Sequence, residues 1–280
     1  MLYSPLRYPG GKNKVSGFIK NIVKKNNLEG GVYVEPYAGG ASVALSLLID
    51  GRVSDVIIND FDRSIYAFWY CVLNKTDDFC EKINKTPITI GTWYKQKRIQ
   101  NKKNKESLFD LGFSTFFLNR ANRSGIISGG PIGGFKQKGK WKIDSRFNKK
   151  DLIRRIRKIA EHKKQIKIYN LDAIRLIKNI SKNLPKKTLI YFDPPYYIKG
   201  KKLYVNYYTH KDHVLVAKTV KNISKPKWIV SYDNVKAITD LYKKYNKRVY
   251  DLPYSVVNGT MGKEVMFFSN NLKHKSGSIR

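Results

Sequence analysis

The sequence predicts an α/β fold in which a doubly wound sheet is interrupted by an inserted, mostly helical domain. Three observations point there. Short apolar runs of strand length alternate with segments of helical spacing at both ends of the chain, a glycine turn follows the first run, and no clear strand pattern occurs from about Lys75 to Glu161.

The elements follow in order. Lys14–Asn27 carries Val15, Phe18, Ile19, Ile22 and Val23 at helical spacing and ends near Gly30-Gly31. Val32-Tyr33-Val34 reads as a short buried strand closed by Glu35-Pro36, and the turn Ala38-Gly39-Gly40 leads into a helix over Ala41–Ile49. Asp55–Asn59 is a second strand, ending at Asp60, with a helix over Ile65–Leu73 behind it. This strand, glycine turn, helix, strand, acid order is the front half of a nucleotide-binding sheet. The pattern then breaks. Helical stretches at Thr92–Lys103, Ser107–Leu118 and Asp151–Ala160 flank a polar, glycine-rich stretch, Asn119–Asn148. Strands return at Ile166–Tyr169, Thr188–Phe192, Trp228–Ser231, Arg248–Leu252 and Val265–Ser269, alternating with helices such as Asp172–Ile180 and Asp212–Asn222. The sheet domain is therefore expected from residues 1–74 and 161–280, with residues 75–160 as the insert.

Composition narrows the partner. Lys+Arg number 55 and Asp+Glu 21, a net charge of +34. Such an excess attracts polyanions over long range and favours a nucleic-acid partner, although a Lys- and Asn-rich chain also carries lysines that only solvate its surface. No basic amphipathic helix with an aromatic face stands out, and no apolar run approaches the length of a membrane span, so a membrane is not expected. The N-terminus reads straight into a Gly-Gly-Lys turn without a signal peptide. Two cysteines, Cys71 and Cys80, lie in a segment read as helix, with no second pair to build a metal site, and are expected to be buried, reduced thiols of a cytoplasmic protein.

The chemistry concentrates at strand ends. The turn Glu35–Ser42 fits a plain tight connection as well as a ligand loop, in which backbone approaches a ligand in front of a helix N-terminus. Asp60, at the end of the next strand, adds an acid placed to accept from ribose hydroxyls, and Asp172, after a third strand, an acid placed to accept from an exocyclic amine. Asp172 equally fits a helix N-cap. The run Thr188-Leu189-Ile190-Tyr191-Phe192 delivers Asp193 to the sheet edge, followed by Pro194, Pro195 and Tyr196. Two prolines stiffen the turn and bring no N–H groups, so it offers acceptors alone, as a primary amine gripped through both hydrogens requires. An aromatic residue next to them can stack on a planar base.

Together these motifs resemble the Dam-type, alpha-group N6-adenine DNA methyltransferases, over nearly the whole chain and in that family's order. Arg7-Tyr8-Pro9-Gly10-Gly11-Lys12 resembles the N-terminal cofactor motif and Glu35-Pro36-Tyr37-Ala38-Gly39-Gly40-Ala41-Ser42 the glycine-rich motif. Asp60 matches the ribose-binding acid, Asp172 the adenine-contacting acid, and Asp193–Tyr196 the catalytic tetrad. Ser231-Tyr232-Asp233-Asn234 and Glu264-Val265-Met266-Phe267-Phe268-Ser269 resemble later strand motifs, and Asn119–Gly125 and Gly130–Gly134 resemble segments of the family's insert. The chain departs from the pattern at Ala41, where many members carry glycine, and at Asp62, where many carry Asn.

The resemblance implies a Rossmann-like methyltransferase sheet with a target-recognition insert, S-adenosyl-L-methionine as cofactor and double-stranded DNA as partner, with no metal. It implies cofactor contacts from Tyr8, Gly10, Gly11, Lys12, Glu35, Pro36, Tyr37, Gly39, Asp60, Asp172 and Asp193, with Lys12 on the methionine carboxylate. Catalysis falls to Asp193, Pro194, Pro195 and Tyr196, with the target adenine flipped out of the duplex. Arg120, Asn122, Arg123 and Ser124 of the insert, with Lys199 and Lys201 of the basic, tyrosine-rich segment after the tetrad, are the expected DNA contacts. A prokaryotic or phage-encoded cytoplasmic protein follows, monomeric or weakly dimeric, with a cognate restriction endonuclease as a possible partner; GATC, common among the closer relatives, is the site expected. The rival readings are an amino-methyltransferase acting on RNA adenine or cytosine N4, and an inactive DNA-binding protein on the same scaffold.

Overall fold

A computed structural model describes residues 3–7, 12–198, 208–253 and 261–274. The chain divides into two compact units, one of Gly10–Asn59 with Gln165–Arg280 and one of Met1–Pro9 with Asp60–Lys164. Its described strands are β1 (Val32–Glu35), β2 (Asp55–Asn59), β3 (Ile166–Tyr169), β4 (Thr188–Phe192), β5 (Lys227–Asp233), β6 (Asn246–Pro253) and β7 (Met261–Phe268). Its described α-helices are α1 (Lys12–Lys25), α2 (Ser42–Ile49), α3 (Arg63–Asn74), α4 (Thr76–Lys85), α5 (Ile90–Asn101), α6 (Leu108–Ala121), α7 (Lys149–Ala160), α8 (Ala173–Ile180), α9 (His210–Lys221) and α10 (Lys236–Leu241).

The first unit holds one sheet in the order β3-β2-β1-β4-β5-β7-β6. β1 to β5 pair in parallel, and β7 runs antiparallel between β5 and β6. The strand order reverses at β1 and β4, and such a switch point opens a ligand crevice at the carboxyl ends of the strands. The sheet is doubly wound because its strands are apolar on both faces. Alternate residues Val34, Ile190, Phe192, Trp228, Val230, Tyr232, Val265 and Phe267 share one core with Ile177 of α8, Val216 and Val220 of α9 and Ile238 of α10. On the opposite face Phe268 meets Phe18 of α1, ring centroids 6.2 Å apart. The two-residue period therefore assigns Tyr33, Glu35, Tyr191, Ser231 and Glu264, which alternate with the residues of the first core, to this second face.

The second unit is helical. α3 packs on α6 around Gly112, where a Cβ would meet the Ala67 carbonyl oxygen at 2.5 Å and Cys71 Sγ at 2.5 Å, so only glycine permits the approach. Phe68 and Phe116 stack across the seam, Phe79 meets both rings edge-on, and Phe147 meets Phe116 edge-on. This packing draws α3 into the helical unit, whose break falls at Asn59/Asp60, whereas the sequence pattern put the start of the insert at residue 75. The sequence also left α4 unassigned: its apolar face is only Phe79, Cys80 and Ile83 on a charged ten-residue helix. Cys71 and Cys80 are both buried without a disulfide, and burial pushes the Cys71 thiol up to about 12. No described helix is long and apolar enough to cross a membrane.

Candidate active site

The turn after β4 carries the most ordered polar geometry of the sheet unit. Ser231, on neighbouring β5, donates its hydroxyl to Asp193 Oδ1 at 2.7 Å, and Tyr191 Oη lies 2.9 Å from Ser231 Oγ. Serine has one proton, and the carboxylate is the stronger acceptor, so the chain runs from Tyr191 to Ser231 to Asp193. Burial first, then the charges of Asp193, Glu264 and Glu35, holds the Tyr191 phenol well above its usual value, which keeps it a donor. Pro194 and Pro195 add no N–H, and no described residue donates to the Pro194 carbonyl.

The rest of the turn is clamped from behind. Asp233 accepts the Tyr197 and Ile198 backbone N–H groups on Oδ1 and Oδ2, at 2.8 and 2.9 Å. Tyr196 donates its hydroxyl to Glu264 Oε1 at 2.5 Å, and Tyr250 donates to Oε2 at 2.8 Å. Anchored there and only 7% exposed, the Tyr196 ring can offer a base one face at most.

The glycine loop after β1 is shaped by backbone and by Asn59. Gly39 and Ala41 take left-handed φ of 49° and 46°, and Ala41, in place of the family's glycine, keeps that conformation at the αL cost of roughly 1 kcal/mol. Ala41 leads into α2 without capping it; Glu35 Oε1 takes the Ala44 N–H, which leaves the N–H groups ahead of it to act as the start of a helix does in an anion site. Asn59, fully buried at the end of β2, donates to the Pro36 and Leu171 carbonyls, each at 2.9 Å, and accepts the Leu171 N–H at 2.9 Å. One amide thus ties the Glu35–Tyr37 turn to the turn bearing Asp172. Glu35 accepts from Tyr33 Oη and the Ala44 N–H, each at 3.2 Å. Asp172 is an N-cap, accepting Ile174 and Arg175 N–H on Oδ1 at 3.0 and 3.1 Å, and its other oxygen has no partner among the described residues. Tyr37 accepts the Tyr208 hydroxyl at 3.3 Å. Below Tyr208 and Tyr197 sits His213, fully buried, its Nδ1 3.2 Å from Tyr232 Oη. Burial lowers its imidazole to about 4, against the opposing charges of Asp233 and Asp212.

The helical unit assigns different work to the insert residues. Asn119 accepts the Arg7 N–H at 2.7 Å and donates to the Arg7 and Gly125 carbonyls, each at 2.8 Å, pinning the N-terminal segment. Asn122 corrects the expectation of a DNA contact. It is fully buried, donating to the Ile126 and Ile127 carbonyls at 2.8 and 3.1 Å and accepting the Trp93 indole N–H at 2.6 Å. All its polar capacity for base reading is spent inside the unit. Arg120, half-buried, donates from Nε to the Arg146 carbonyl at 2.8 Å and from Nη1 to the Pro5 carbonyl at 3.4 Å, and burial, then the charges of Arg7 and Arg155, lowers its guanidinium to about 10. Arg123 is exposed, and Ser124 is half-buried at a left-handed φ of 55°. Asp60 accepts the Asp62 N–H at 2.9 Å; Asp62, where relatives carry Asn, caps α3 and pairs with Lys103 at 3.1 Å.

Tyr8, Gly10, Gly11, Lys199 and Lys201 lie outside the described residues, as does the side chain of Lys12, the first residue of α1. The functional candidates that motif reading passed over are Tyr191, Tyr250 and Asn59, while Ser231, Asp233 and Glu264 lie in the later strand motifs, which did not state their supporting role. Strand parity was the signal for Tyr191 and Tyr250, which it aligns with Asp193 and Glu264. Among the described residues no group of three or more His, Cys, Asp or Glu side chains is placed to hold a metal ion.

Known proteins match this arrangement. Residues 8–254 match the family model described as D12 class N6 adenine-specific DNA methyltransferase. The chain is 24% identical over 262 residues to the "Type II methyltransferase M.MjaIII" of Methanocaldococcus jannaschii, covering 86% of this chain and 88% of the relative. Among solved structures it is similar to the rRNA methyltransferase aviRa of Streptomyces viridochromogenes, with 10% identity, 94% of this chain and 87% of the other covered, and a TM-score of 0.38. The family match spans most of the chain and takes in both the glycine loop and the Asp193 turn: this chain belongs to the D12 class N6 adenine-specific DNA methyltransferases.

Proposed function

We propose that the chain uses S-adenosyl-L-methionine to methylate N6 of an adenine extruded from duplex DNA, with Asp193–Tyr196 as the catalytic turn. The observation that carries this reading is the Asp193 carboxylate, oriented by Ser231 at the sheet switch point and followed by two prolines that bring no N–H donors.

The residues fit a cationic cofactor. Asp193, Glu264 and Glu35 all act on the Tyr191 phenol, so three carboxylates cluster beneath the switch point of a chain whose net charge is +34. When bound, S-adenosylmethionine supplies an electrophilic methyl group on a positively charged sulfur. The first N–H groups of α2, ahead of the Ala44 N–H that Glu35 holds, and Lys12 would receive its carboxylate, Asp60, next in the chain after β2, its ribose, and the second oxygen of Asp172 its adenine amine. Tyr37, Pro36 and Gly39 would line the same turn, with Tyr8, Gly10 and Gly11 supplied by the N-terminal motif.

Adenine N6 is a weak nucleophile because its lone pair is delocalised into the ring. Asp193 and the Pro194 carbonyl, accepting its two hydrogens, favour a tetrahedral nitrogen and stabilise the positive charge that grows as the new N–C bond forms. The surplus proton leaves N6 only after that bond exists, so Asp193 orients and stabilises; it is not a base that acts first. Preorganised acceptors of this kind are worth about 3 kcal/mol each, judged from single-donor deletions in oxyanion holes. A paired adenine cannot present N6 to this turn, hence extrusion, with the open face of Tyr196 against the flipped base. Arg123 is the one expected insert contact that is exposed. A cytoplasmic prokaryotic or phage setting follows from the DNA substrate, and the type II name of the archaeal relative supports a restriction partner.

The test is transfer of labelled methyl from S-adenosylmethionine to duplex DNA, followed by nucleoside digestion. Label is expected in N6-methyldeoxyadenosine. Label confined to cytosine, or transfer to RNA alone, overturns the reading.

A further inference from the structure

Besides Phe61, three large rings of the helical unit stay open to solvent: Tyr94, Phe135 and Trp141 are 46%, 55% and 63% exposed. They are not loosely held. Tyr94 and Phe135 stack with centroids 6.1 Å apart and planes 19° from parallel. Both rest edge-on against buried Trp93, at 5.2 and 5.5 Å, which Asn122 in turn holds by its indole N–H. The segment from Gly133 to Ile143 closes on itself. Gly139 donates its N–H to the Gly133 carbonyl, while Gln137 donates to the Ile132 and Gly134 carbonyls and accepts the Ile143 N–H at 2.8 Å. Gly133, Gly134 and Gln137 take positive φ of 83°, 74° and 49° in doing so. A bonded, strained loop that holds aromatic rings in water is a display device.

Its charge says what it displays them to. Lys136, Lys138, Lys140 and Lys142 are all exposed, and Lys140 Nζ lies 5.9 Å from the Trp141 centroid. No Asp or Glu occurs from Leu111 to Ile143 or within α5. Cations interleaved with ring faces match a nucleic-acid strand, whose phosphates take the ammonium groups and whose sugars and bases take the rings.

We infer that Tyr94, Phe135 and Trp141, with Lys136, Lys138, Lys140 and Lys142, form a DNA-contact surface, and that buried Asn122 serves it as a support for Trp93. This rests on the proposed DNA substrate. It replaces the inward-facing Asn122 with residues the motif reading did not select.

The unmodified protein carries its own reporter. Of its four tryptophans, Trp69, Trp93 and Trp228 are at most 4% exposed, so Trp141 dominates the solvent-sensitive emission. The experiment follows tryptophan emission and its quenching by iodide while a duplex is added, alongside anisotropy of the same duplex carrying a fluorophore. The surface predicts that Trp141 emission changes and iodide access falls with the midpoint seen in anisotropy, and that Trp141→Phe removes the signal. Phe135→Ala and Trp141→Ala should each weaken duplex binding at least fivefold without moving the melting temperature. Replacing the four lysines by Gln should flatten the log affinity against log salt slope by about 0.9 for each phosphate no longer neutralised. Duplex binding with unchanged Trp141 accessibility and full affinity in the ring and lysine variants overturns the surface and leaves the DNA substrate standing. No duplex binding by the unmodified protein overturns the substrate reading itself.

Discussion

Ser231→Ala separates stability from catalysis at the candidate site. The substitution removes the 2.7 Å bond to Asp193 and leaves the buried Tyr191 hydroxyl without its partner. An unpaired buried hydroxyl costs about 1–3 kcal/mol, which for a chain of this size lowers the melting temperature by roughly 2 °C per kcal/mol. Loss of a hydrogen bond to a charged group is worth about 1.5–3 kcal/mol. Because Asp193 is only half-buried, the lower end applies, and the single-turnover methylation rate should fall about tenfold. Adding Tyr191→Phe deletes the orphaned hydroxyl, so the double variant should regain most of the lost melting temperature while staying tenfold slow. The assay is thermal melting and single-turnover transfer on the wild type, both single variants and the double. A double variant no more stable than Ser231→Ala, or one that recovers its rate, refutes the Tyr191–Ser231–Asp193 chain.

Further outcomes follow from the same geometry. His213 titrates at about 4 when folded and about 6.5 when unfolded, so the unfolded chain binds the extra proton between those values. Its contribution to stability is complete above pH 6.5 and is lost as pH falls towards 4, up to roughly 3 kcal/mol; His213→Phe should flatten that limb of the stability profile measured in urea. Asn122→Ala strands the Trp93 indole N–H and should destabilise by about 2–3 kcal/mol, whereas Arg123→Ala should leave melting unchanged and weaken duplex binding. Equal melting shifts in the two variants would show that Asn122 is not a scaffold residue.

Most of the sheet was legible because its strands are apolar and separated by turn chemistry; Thr188–Phe192 could hardly be anything else. The Asp193 turn was legible for the same reason, since two prolines after a buried strand leave few conformations open. The helical unit was harder. Its start moved from residue 75 to Asp60 because Gly112 lets α3 seat against α6, a contact with no local sequence signature. Asn122 misled for a related reason: a polar side chain in a glycine-rich stretch looks like part of a reading surface, and only burial reveals that it bonds inward. The Ser231 and Glu264 supports depend on pairing across strands distant in the chain, which motif spacing does not encode.

The central claim is that Asp193 accepts the hydrogens of the reacting amine and stabilises its developing charge. Single-turnover transfer by Asp193→Asn, measured beside S-adenosylmethionine affinity by calorimetry, tests it most directly. The account predicts a rate loss of about 10²–10³-fold, the scale of one preorganised electrostatic contact, with cofactor affinity changed only a few-fold. A rate within threefold of wild type, or a loss that tracks cofactor affinity alone, contradicts it.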